Sequence, residues 1–316
     1  MNTLFEMAGR DPRVCLVVGD LGYSVIEQFA RTYPDQFVNA GVAEQDMTGI
    51  ATGMALSGKI VFTYSIANFA TLRCLEQIRN DVCYHRANVK VVAVGGGLAY
   101  GNLGISHHAT EDLAILRALP EMTVVVPGDP VEADLATRAA IEHEGPVYLR
   151  LGKAGEPVVH TSRPAFALGK AIRLRQGRDL TLISTGGMLA TAVKAAGALA
   201  ERGLEAGVLS MHTVAPLDED AVRNAATQSR VIVTLEEHSI TGGLGGAVAE
   251  VLAEMPRHAP LLRIGLSPGF NAQVGDQQYL KQQQGLDLEG VLKQLEMVLD
   301  LEAPSRKAKE THGLVS

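Results

Sequence analysis

The stretch 37–65 constrains the fold more than any other part of the sequence. It has the pattern of a strand at 37–40, a helix of small residues at about 45–57 and a second strand at 59–63. This spacing is typical of a βαβ unit, in which a crossover helix joins two parallel strands. Loops at the carboxyl ends of such strands form the ligand-binding edge of open parallel sheets. We therefore expect a parallel sheet with its functional site beside the first crossover.

Glu44 stands at that crossover, among small and apolar residues that include Val42 and Met47. A lone carboxylate in such surroundings is costly unless another group pairs with it, and such carboxylates often belong to functional sites. A ligand that shares a proton with the carboxyl group is one such partner. Alternatively, Glu44 is simply an acid in the first turn of its helix, where the macrodipole favours it. The residues alone leave both interpretations open.

Apolar runs and helical patterns alternate along the rest of the chain as well. Four more buried strands are predicted before residue 155, at 13–19, 89–97, 123–129 and 146–152. Continuous apolar strands of this kind are typical of parallel sheets that are covered on both faces. A second alternating series of strands and helices runs from 179 to 265.

The predicted fold class is therefore α/β, with two three-layer domains built on mostly parallel sheets. The two series are separated by a stretch punctuated by Pro, Gly and Arg residues, which is typical of an extended linker. The predicted limits are 1–155 for the first domain, 156–177 for the linker, 178–303 for the second domain and 304–316 for a polar, flexible tail.

Composition excludes several classes of function. The 316 residues carry a formal charge of -7 without a basic stripe, so nucleic-acid binding is not expected. Neither a membrane-spanning apolar run nor a leader pattern is found, which predicts a cytoplasmic protein with no membrane partner. Cys15, Cys74 and Cys83 lack metal-ligand spacing and are interpreted as reduced core thiols. No metal ligand is predicted in this chain.

Several common catalytic motifs are missing from the sequence. It contains no phosphate-binding P-loop, and the glycine clusters at 95–97 and 242–246 lack the spacing of a dinucleotide-binding loop. It also contains no G-x-S-x-G nucleophile elbow and no plausible Cys–His pair. Acids, histidines and glycine loops nevertheless converge on one sheet edge. This pattern is typical of proteins in which a bound cofactor performs the difficult chemistry.

Polar and aromatic side chains are expected at the same edge as Glu44. Asp20 and Ser24 follow the first strand of the chain. Phe69 lies in the first turn of a helix that is predicted to begin near Asn68. Its aromatic ring either faces the cleft or belongs to the core.

A glycine-rich loop after the strand 89–97 ends in two adjacent histidines, His107 and His108. They precede a helix that Thr110 is predicted to cap. One histidine is a candidate acid/base or hydrogen-bond donor, with the other supporting it. Alternatively, both are solvated loop residues.

Several motifs together point to a known family. They are G-V-A-E-Q-D-M at 41–47, F-A-T-x-R at 69–73, Q-I-R-N at 77–80, S-H-H-A-T-E-D-L-A at 106–114, V-V-P-G-D at 125–129 and Y-L-R-L-G-K at 148–153. They resemble the carboxyl-terminal two thirds of transketolases, especially the split enzymes that are made as two polypeptides. The resemblance extends from about residue 10 to about residue 300.

The resemblance implies a pyrimidine-binding domain at 1–155 and the family's carboxyl-terminal domain at 178–303. It implies thiamine diphosphate as the cofactor, with Mg²⁺ or Ca²⁺ held mainly by a partner chain. The family's diphosphate-binding domain, with its G-D-G…N metal motif, has no counterpart in this sequence. The expected partners are therefore an N-terminal diphosphate-binding subunit in an α2β2 assembly, a second copy of this chain as a homodimer, and a sugar or sugar phosphate substrate.

Three cofactor-binding residues follow from the resemblance. Glu44 matches the catalytic glutamate that hydrogen-bonds the aminopyrimidine ring of the cofactor and favours its imino tautomer, which removes the thiazolium C2 proton. Phe69 matches the aromatic residue that stacks on the pyrimidine ring. Asp20 matches an acid that reaches the cofactor across the subunit interface.

Three substrate-binding residues follow in the same way. Ser24 matches a contact to the substrate phosphate, and His107 matches a catalytic histidine that binds substrate hydroxyls. Lys153 replaces an arginine that holds the distal phosphate. In addition, Leu103 stands where the family has a carboxylate, and Gly95 stands where it has a phosphate-binding histidine. These departures imply ordinary thiamine chemistry on an atypical sugar, such as a modified or non-phosphorylated one.

The function implied is the transfer of a two-carbon ketol unit from a ketose donor to an aldose acceptor. A β-type subunit of a thiamine-dependent 2-oxo acid dehydrogenase has a similar order of elements and is the first alternative. A non-catalytic α/β scaffold subunit is the second. The identity of the sugars, the partner chain, the pathway and the role of His108 do not follow from the sequence.

Overall fold

Two sheets of mostly parallel strands organise the structure, a computed structural model that describes residues 1–302. The strands of this part of the chain are β1 (Val14–Val18), β2 (Phe37–Asn39), β3 (Ile60–Ile66), β4 (Val89–Val94), β5 (Thr123–Val125), β6 (Val147–Leu151), β7 (Ile172–Arg175), β8 (Leu180–Ser184), β9 (Ala206–Ser210), β10 (Thr213–Ala215), β11 (Val231–Ser239) and β12 (Leu261–Leu266). The first sheet has the order β10-β5-β6-β4-β3-β1-β2 and the second β12-β11-β8-β9-β7. The predicted α/β class with two mostly parallel sheets is confirmed.

Helices connect the strands and cover the sheets. Those that the structure describes are α1 (Asn2–Ala8), α2 (Glu27–Thr32), α3 (Glu44–Leu56), α4 (Ala67–Thr71), α5 (Leu75–Gln77), α6 (Asp112–Arg117), α7 (Pro130–Glu142), α8 (Met188–Glu201), α9 (Glu219–Gln228), α10 (Leu244–Ala253), α11 (Gln277–Gln283) and α12 (Leu288–Glu302). Short 3-10 turns lie at Pro34–Gln36, Leu72–Cys74, Gly101–Leu103 and Ile105–His107, and a π-helical turn lies at Ile78–Cys83.

The central strands are buried on both faces, as their continuous apolar sequences predict. All five residues of β1 are buried. Because successive side chains of a strand point to opposite faces, Val17 packs with Val61 in one hydrophobic cluster and Leu16 packs with Phe62 in another. These two clusters separate the first sheet from the helices on its two sides and create the three layers.

One edge of the first sheet collects the ends of its central strands. β1 pairs in parallel with β3, β3 with β4, and β4 with β6. The segments that follow these four strands therefore lie side by side, and they carry Asp20, Phe69, Tyr100 and Lys153. This edge is the predicted location of the functional site.

Some local elements differ from the sequence-based expectations. Thr110 does not cap the following helix, because α6 begins only at Asp112 and its N-cap, Glu111, makes no side-chain hydrogen bond. The stretch 156–177, predicted as an extended linker, contains β7, which pairs antiparallel with β9. The predicted tail at 304–316 lies outside the described residues.

The second half of the chain also contributes a strand to the first sheet. β10 pairs antiparallel with β5, with Thr213 opposite Val125. A three-residue strand has too little periodicity for its partner to be read from sequence. Its pairing fixes the two sheets relative to each other, because the backbone ladder of the first sheet includes a strand from the second half of the chain.

A buried polar network lies where the two halves of the chain meet. The Arg150 guanidinium donates hydrogen bonds to Asp112 Oδ2 at 2.7 Å, to the Ala109 carbonyl at 2.9 Å and to the Glu237 carbonyl at 3.0 Å. Tyr148 donates its hydroxyl proton to the same Asp112 oxygen. Burial of the phenol raises the Tyr148 pKa well above its usual value, so the hydroxyl remains a donor.

Asp112→Ala is expected to destabilise the chain strongly, because it leaves the Arg150 charge buried and unpaired. A loss of about 3–5 kcal/mol in the free energy of unfolding is expected for breaking such a pair. Denaturant unfolding of the purified chain measures it. Glu250→Ala is the control, because Glu250 pairs with Arg117 at the surface and such pairs contribute less than about 1 kcal/mol. Equal losses in the two variants would contradict the assignment.

Candidate active site

Glu44 is the first residue of α3, directly after the loop that follows β2. Only 2% of its surface is exposed, so its carboxylate is effectively removed from water. Its side chain packs close to Gly19, where an added Cβ would lie 3.5 Å from Glu44 Cγ. The residue after β1 therefore lies in van der Waals range of the carboxylate arm.

The partner of the buried carboxylate is Arg73, whose Nη1 donates a hydrogen bond to Glu44 Oε2 at 2.8 Å. The same guanidinium lies 4.6 Å from the centre of the Phe69 ring. Arg73 therefore contacts both Glu44 and Phe69, the two residues that the resemblance assigns to the pyrimidine ring of the cofactor. Its side chain is 48% exposed, so it can move away without opening the core.

Phe69 joins this group to His107. The two ring centres lie 5.0 Å apart in an edge-to-face arrangement. The loop that carries His107 is tied to α4, because Asn68 Nδ2 donates a hydrogen bond to the Ser106 carbonyl at 2.7 Å. Ser106 Oγ in turn lies 3.0 Å from His107 Nδ1, which orients the imidazole.

His107 is partly exposed, whereas His108 is buried and 3% exposed. Burial lowers the pKa of His108, so its imidazole is neutral at neutral pH. The two histidines thus have different environments, and only His107 contacts the aromatic residues of the site.

Tyr100, which no motif in the sequence predicts as a site residue, extends the group towards Lys153. Its ring centre lies 6.2 Å from that of His107, and the Lys153 ammonium lies 5.1 Å from the Tyr100 ring centre. The contacts thus form one continuous series across the sheet edge: Glu44, Arg73, Phe69, His107, Tyr100 and Lys153.

Asp20 lies beside the start of this series, after β1. Its backbone N–H donates to Asn39 Oδ1 at 3.1 Å, and Asn39 Nδ2 donates back to Asp20 Oδ1 at 2.9 Å. Asn39 also accepts the Gly41 N–H at 3.0 Å, which fixes the loop before Glu44. Asp20 therefore positions the loop as well as presenting a carboxylate.

Ser24 is exposed on the loop after β1, and its backbone N–H donates a hydrogen bond to Glu27 Oε1 at 2.7 Å. Both Asp20 and Ser24 have positive φ angles, 54° and 65°, in a region that residues other than glycine rarely adopt. Such backbone conformations are often found at ligand sites. They set the loop after β1 apart from an ordinary surface turn.

Each glycine at 95–97 is required because a different neighbouring side chain occupies the space that a Cβ atom would fill. An added Cβ at Gly95 would lie 2.1 Å from Tyr100, at Gly96 2.5 Å from Arg150, and at Gly97 2.6 Å from Glu237. All three contacts are too short to be tolerated without movement. The run is therefore a packing requirement that links the sheet edge to the interdomain network.

A cavity of about 940 Å³ between the two halves of the chain is separate from this group. Its lining includes Asp129, Arg150 and Gly186 but neither Glu44 nor Phe69. The predicted site is open to solvent, because Arg73 is 48% exposed and both Ser24 and Lys153 are exposed. Among the side chains that the structure describes, no cluster of three or more His, Cys, Asp or Glu residues could hold a metal ion. In the described part of the chain, no helix is long and apolar enough to cross a membrane.

Two protein-family models match the sequence of this chain. The family model for the transketolase pyrimidine-binding domain matches residues 1–155, and the one for the transketolase C-terminal domain matches residues 169–291. Together they account for most of the chain.

Individual relatives are similar over nearly their whole length. An apulose-4-phosphate transketolase subunit of Phocaeicola vulgatus is 41% identical over 294 residues, which cover 92% of this chain and 93% of that protein. The 6-deoxy-6-sulfo-D-fructose transketolase subunit SqwH of Clostridium sp. is 38% identical over 294 residues, covering 93% and 91%.

A solved structure described as a split gene transketolase, inactive beta4 tetramer, is similar in fold. Its TM-score is 0.85 at 37% sequence identity, covering 95% of this chain and 96% of that one. These relatives favour the transketolase interpretation over a β-type dehydrogenase subunit. With two family models matched along most of its length, this chain belongs to the transketolase family.

Proposed function

We propose that this chain is the carboxyl-terminal subunit of a split transketolase-like enzyme that transfers a two-carbon ketol unit from a ketose to an aldose. The proposal rests on one observation: the buried Glu44 carboxylate and the Phe69 ring both contact the Arg73 guanidinium. The proposed catalytic residues are Glu44 and His107.

The family depends on thiamine diphosphate, which supplies a nucleophilic carbon when it is bound. The site fits its aminopyrimidine ring, because that ring needs a carboxyl partner for its nitrogen and a flat apolar surface for its face. Arg73 already pairs with the Glu44 carboxylate and packs on the Phe69 ring. Its side chain is exposed enough to move away from both. With the cofactor bound, Glu44 would share a proton with the ring nitrogen, Phe69 would pack on the ring, and Asp20 would complete the cofactor contacts.

We assign substrate binding to His107, Ser24 and Lys153. The partly exposed His107 imidazole is available to hydrogen-bond substrate hydroxyls, and the exposed Lys153 ammonium is available to an anionic group. The position of Ser24 is consistent with its role, because it lies exposed on the loop after β1.

The proposed partner is an N-terminal diphosphate-binding subunit that holds the diphosphate and most of the contacts to Mg²⁺ or Ca²⁺, in an α2β2 assembly. This is supported by the open position of the site and by a similar protein described as an inactive tetramer of β chains. A homodimer of this chain is proposed as the centre of the assembly. We also propose a cytoplasmic location, since the three cysteines are unpaired and buried, as expected in a reducing compartment.

The two family models support the proposed division of the chain into a pyrimidine-binding domain at 1–155 and a C-terminal domain at 178–303. The proposed linker at 156–177 joins them. Its last part, β7, packs in the second sheet and so belongs structurally with the second domain.

Reconstitution with the partner tests the proposed activity. A chain with a G-D-G…N motif from a neighbouring reading frame is combined with this chain, thiamine diphosphate and Mg²⁺, and ketose and aldose pairs are added. A product lengthened by two carbons supports the proposal. Oxidative release of CO2 from 2-oxo acids without carbon–carbon transfer would instead identify a dehydrogenase subunit. Absence of cofactor binding by the complex would identify a scaffold subunit.

Ordinary sugar phosphates are expected to bind weakly to the assembled enzyme. Leu103 and Gly95 provide no polar side-chain contact, and Lys153 offers a point charge where an arginine would form a bidentate pair. The relatives named for apulose 4-phosphate and for 6-deoxy-6-sulfo-D-fructose support an atypical sugar for this chain too. Steady-state kinetics with xylulose 5-phosphate and ribose 5-phosphate measure the effect. Efficient turnover at micromolar KM would contradict it.

A further inference from the structure

Tyr100 has an unusual position at the sheet edge. Its ring lies directly on Gly95, the residue after β4, where an added Cβ would be 2.1 Å from Tyr100 Cε2 and 2.3 Å from Cδ2. Real Cβ atoms do not approach other atoms so closely. The Tyr100 ring therefore occupies the space that any side chain at residue 95 would fill, and the two cannot be present together in this arrangement.

The backbone supports the same conclusion. Gly95 has a φ of 82°, in the left-handed region that disfavours side chains. Residue 95 must therefore be glycine for two reasons: its backbone has a positive φ, and the Tyr100 ring leaves no space for a side chain. The loop returns after five residues to place an aromatic ring on Gly95.

The ring of Tyr100 lies at the polar end of the proposed site. His107 and Lys153 flank it, and Tyr64 of β3 lies near enough for the two phenols to influence each other. Burial raises the pKa of Tyr100, and burial followed by the neighbouring Tyr100 raises that of Tyr64. Both phenols therefore remain protonated at neutral pH and can donate or accept a hydrogen bond.

Tyr100 also lies between the group at Glu44 and the cation at the far end of the site. Among side chains that the structure describes, no carboxylate forms an ion pair with Lys153, whose ammonium contacts the Tyr100 ring instead. A substrate that reaches from Phe69 and His107 to Lys153 must pass Tyr100. In the proposed ketol transfer, the part of a ketose beside Tyr100 would be the chain beyond its two-carbon ketol unit, which carries neutral hydroxyl groups.

We propose that Tyr100, packed on Gly95, is the residue that selects the sugar: its phenol hydrogen-bonds a neutral hydroxyl of the chain beyond the ketol unit, and its ring limits the width of the site there. This inference rests on the proposed ketol transfer. It assigns Tyr100 to substrate selection and leaves the ketol unit itself to Glu44 and His107.

Two donor substrates distinguish an effect on sugar selection from an effect on the transfer of the ketol unit itself. Hydroxypyruvate carries the ketol unit and only a departing carboxylate, whereas D-xylulose carries the ketol unit and a further chain of carbons with hydroxyls. Each is assayed with glycolaldehyde as the acceptor, using the complex with the diphosphate-binding partner. D-xylulose 5-phosphate is used in parallel to include an anionic end. The measured quantity is the ratio of kcat/KM for each sugar to that for hydroxypyruvate.

Tyr100→Phe removes only the hydroxyl and is expected to change this ratio about tenfold, mostly through KM, as for a single hydrogen bond. Tyr100→Val also removes the ring and is expected to change the ratio further. Gly95→Ala should displace Tyr100 and reproduce the effect of Tyr100→Val. Gly203→Ala is the matched control, because its φ is 78° and an added Cβ meets nothing within 4 Å.

The outcomes distinguish this inference from the proposed function. If the wild-type complex does not use hydroxypyruvate or either sugar, the proposed ketol transfer fails. If hydroxypyruvate is used, the inference is overturned by ratios that stay within about twofold of wild type in all the Tyr100 and Gly95 variants, a change below the scale of one hydrogen bond. It is equally overturned if neither sugar is used by the wild type or by any variant.

Discussion

Glu44→Gln is expected to lower kcat of the assembled enzyme by about 10²–10⁴-fold, the usual scale of acid–base catalysis. The amide keeps the size and one hydrogen-bond acceptor of the carboxyl group, but it cannot take up or release the proton that is shared with the ring nitrogen. The fold should be retained, since the Arg73 side chain that loses its partner is 48% exposed and can turn to solvent. Steady-state rates and thermal unfolding of the same preparation measure the two effects.

Asp46→Asn is the matched control for this variant. Asp46 lies in the same first turn of α3 and carries the same charge, but it is exposed. Its substitution changes the local electrostatics of the helix N-terminus without touching the proposed proton. A Glu44→Gln enzyme with near-normal turnover, or an Asp46→Asn enzyme equally impaired, would show that Glu44 acts only as a helix residue.

The architecture was accessible from sequence because parallel sheets leave a strong pattern. Strands buried on both faces, such as β1 and β4, appear as unbroken apolar runs, and crossover helices separate them. The position of Glu44 followed from the same pattern, since the carboxyl end of a strand is where its loop meets the sheet edge.

The partners of Glu44 and Gly95 were not accessible in the same way. Arg73 is 29 residues from Glu44, and its contact depends on how α4 and the turns after it pack against α3. Tyr100 meets Gly95 only because the intervening loop folds back, a geometry that glycine content permits but does not specify. β10 joins the first sheet through backbone pairing alone, which has no side-chain periodicity to reveal it.

The second large effect concerns the chain without its partner. The isolated chain is expected to have no measurable ketol transfer and no tight site for thiamine diphosphate. In the proposed assembly, Glu44 and Phe69 would serve the aminopyrimidine ring, and the diphosphate and its metal ion would take their ligands from the partner subunit. Each lost hydrogen bond to a charged group costs about 1.5–3 kcal/mol, so a few of them reduce affinity by several orders of magnitude.

The surface around the site agrees with this expectation. Val42, next to the Glu44 loop, is 76% exposed, and Leu72 and Ile105 on the neighbouring loops are exposed as well. Apolar side chains clustered at an open polar site are typical of surfaces that another subunit covers. The proposed homodimer and the diphosphate-binding subunit together would bury them, in a closed symmetric assembly.

Calorimetric titration of the purified chain with thiamine diphosphate and Mg²⁺, with and without the partner, tests the half-enzyme interpretation most directly. The partner alone is the control for cofactor bound outside the complex. The expected result is no tight binding to either chain by itself and one tight site per αβ pair in the mixture, abolished or weakened by Phe69→Ala. Submicromolar binding at one site per protomer of this chain alone would show that its cleft is complete and contradict the half-enzyme interpretation.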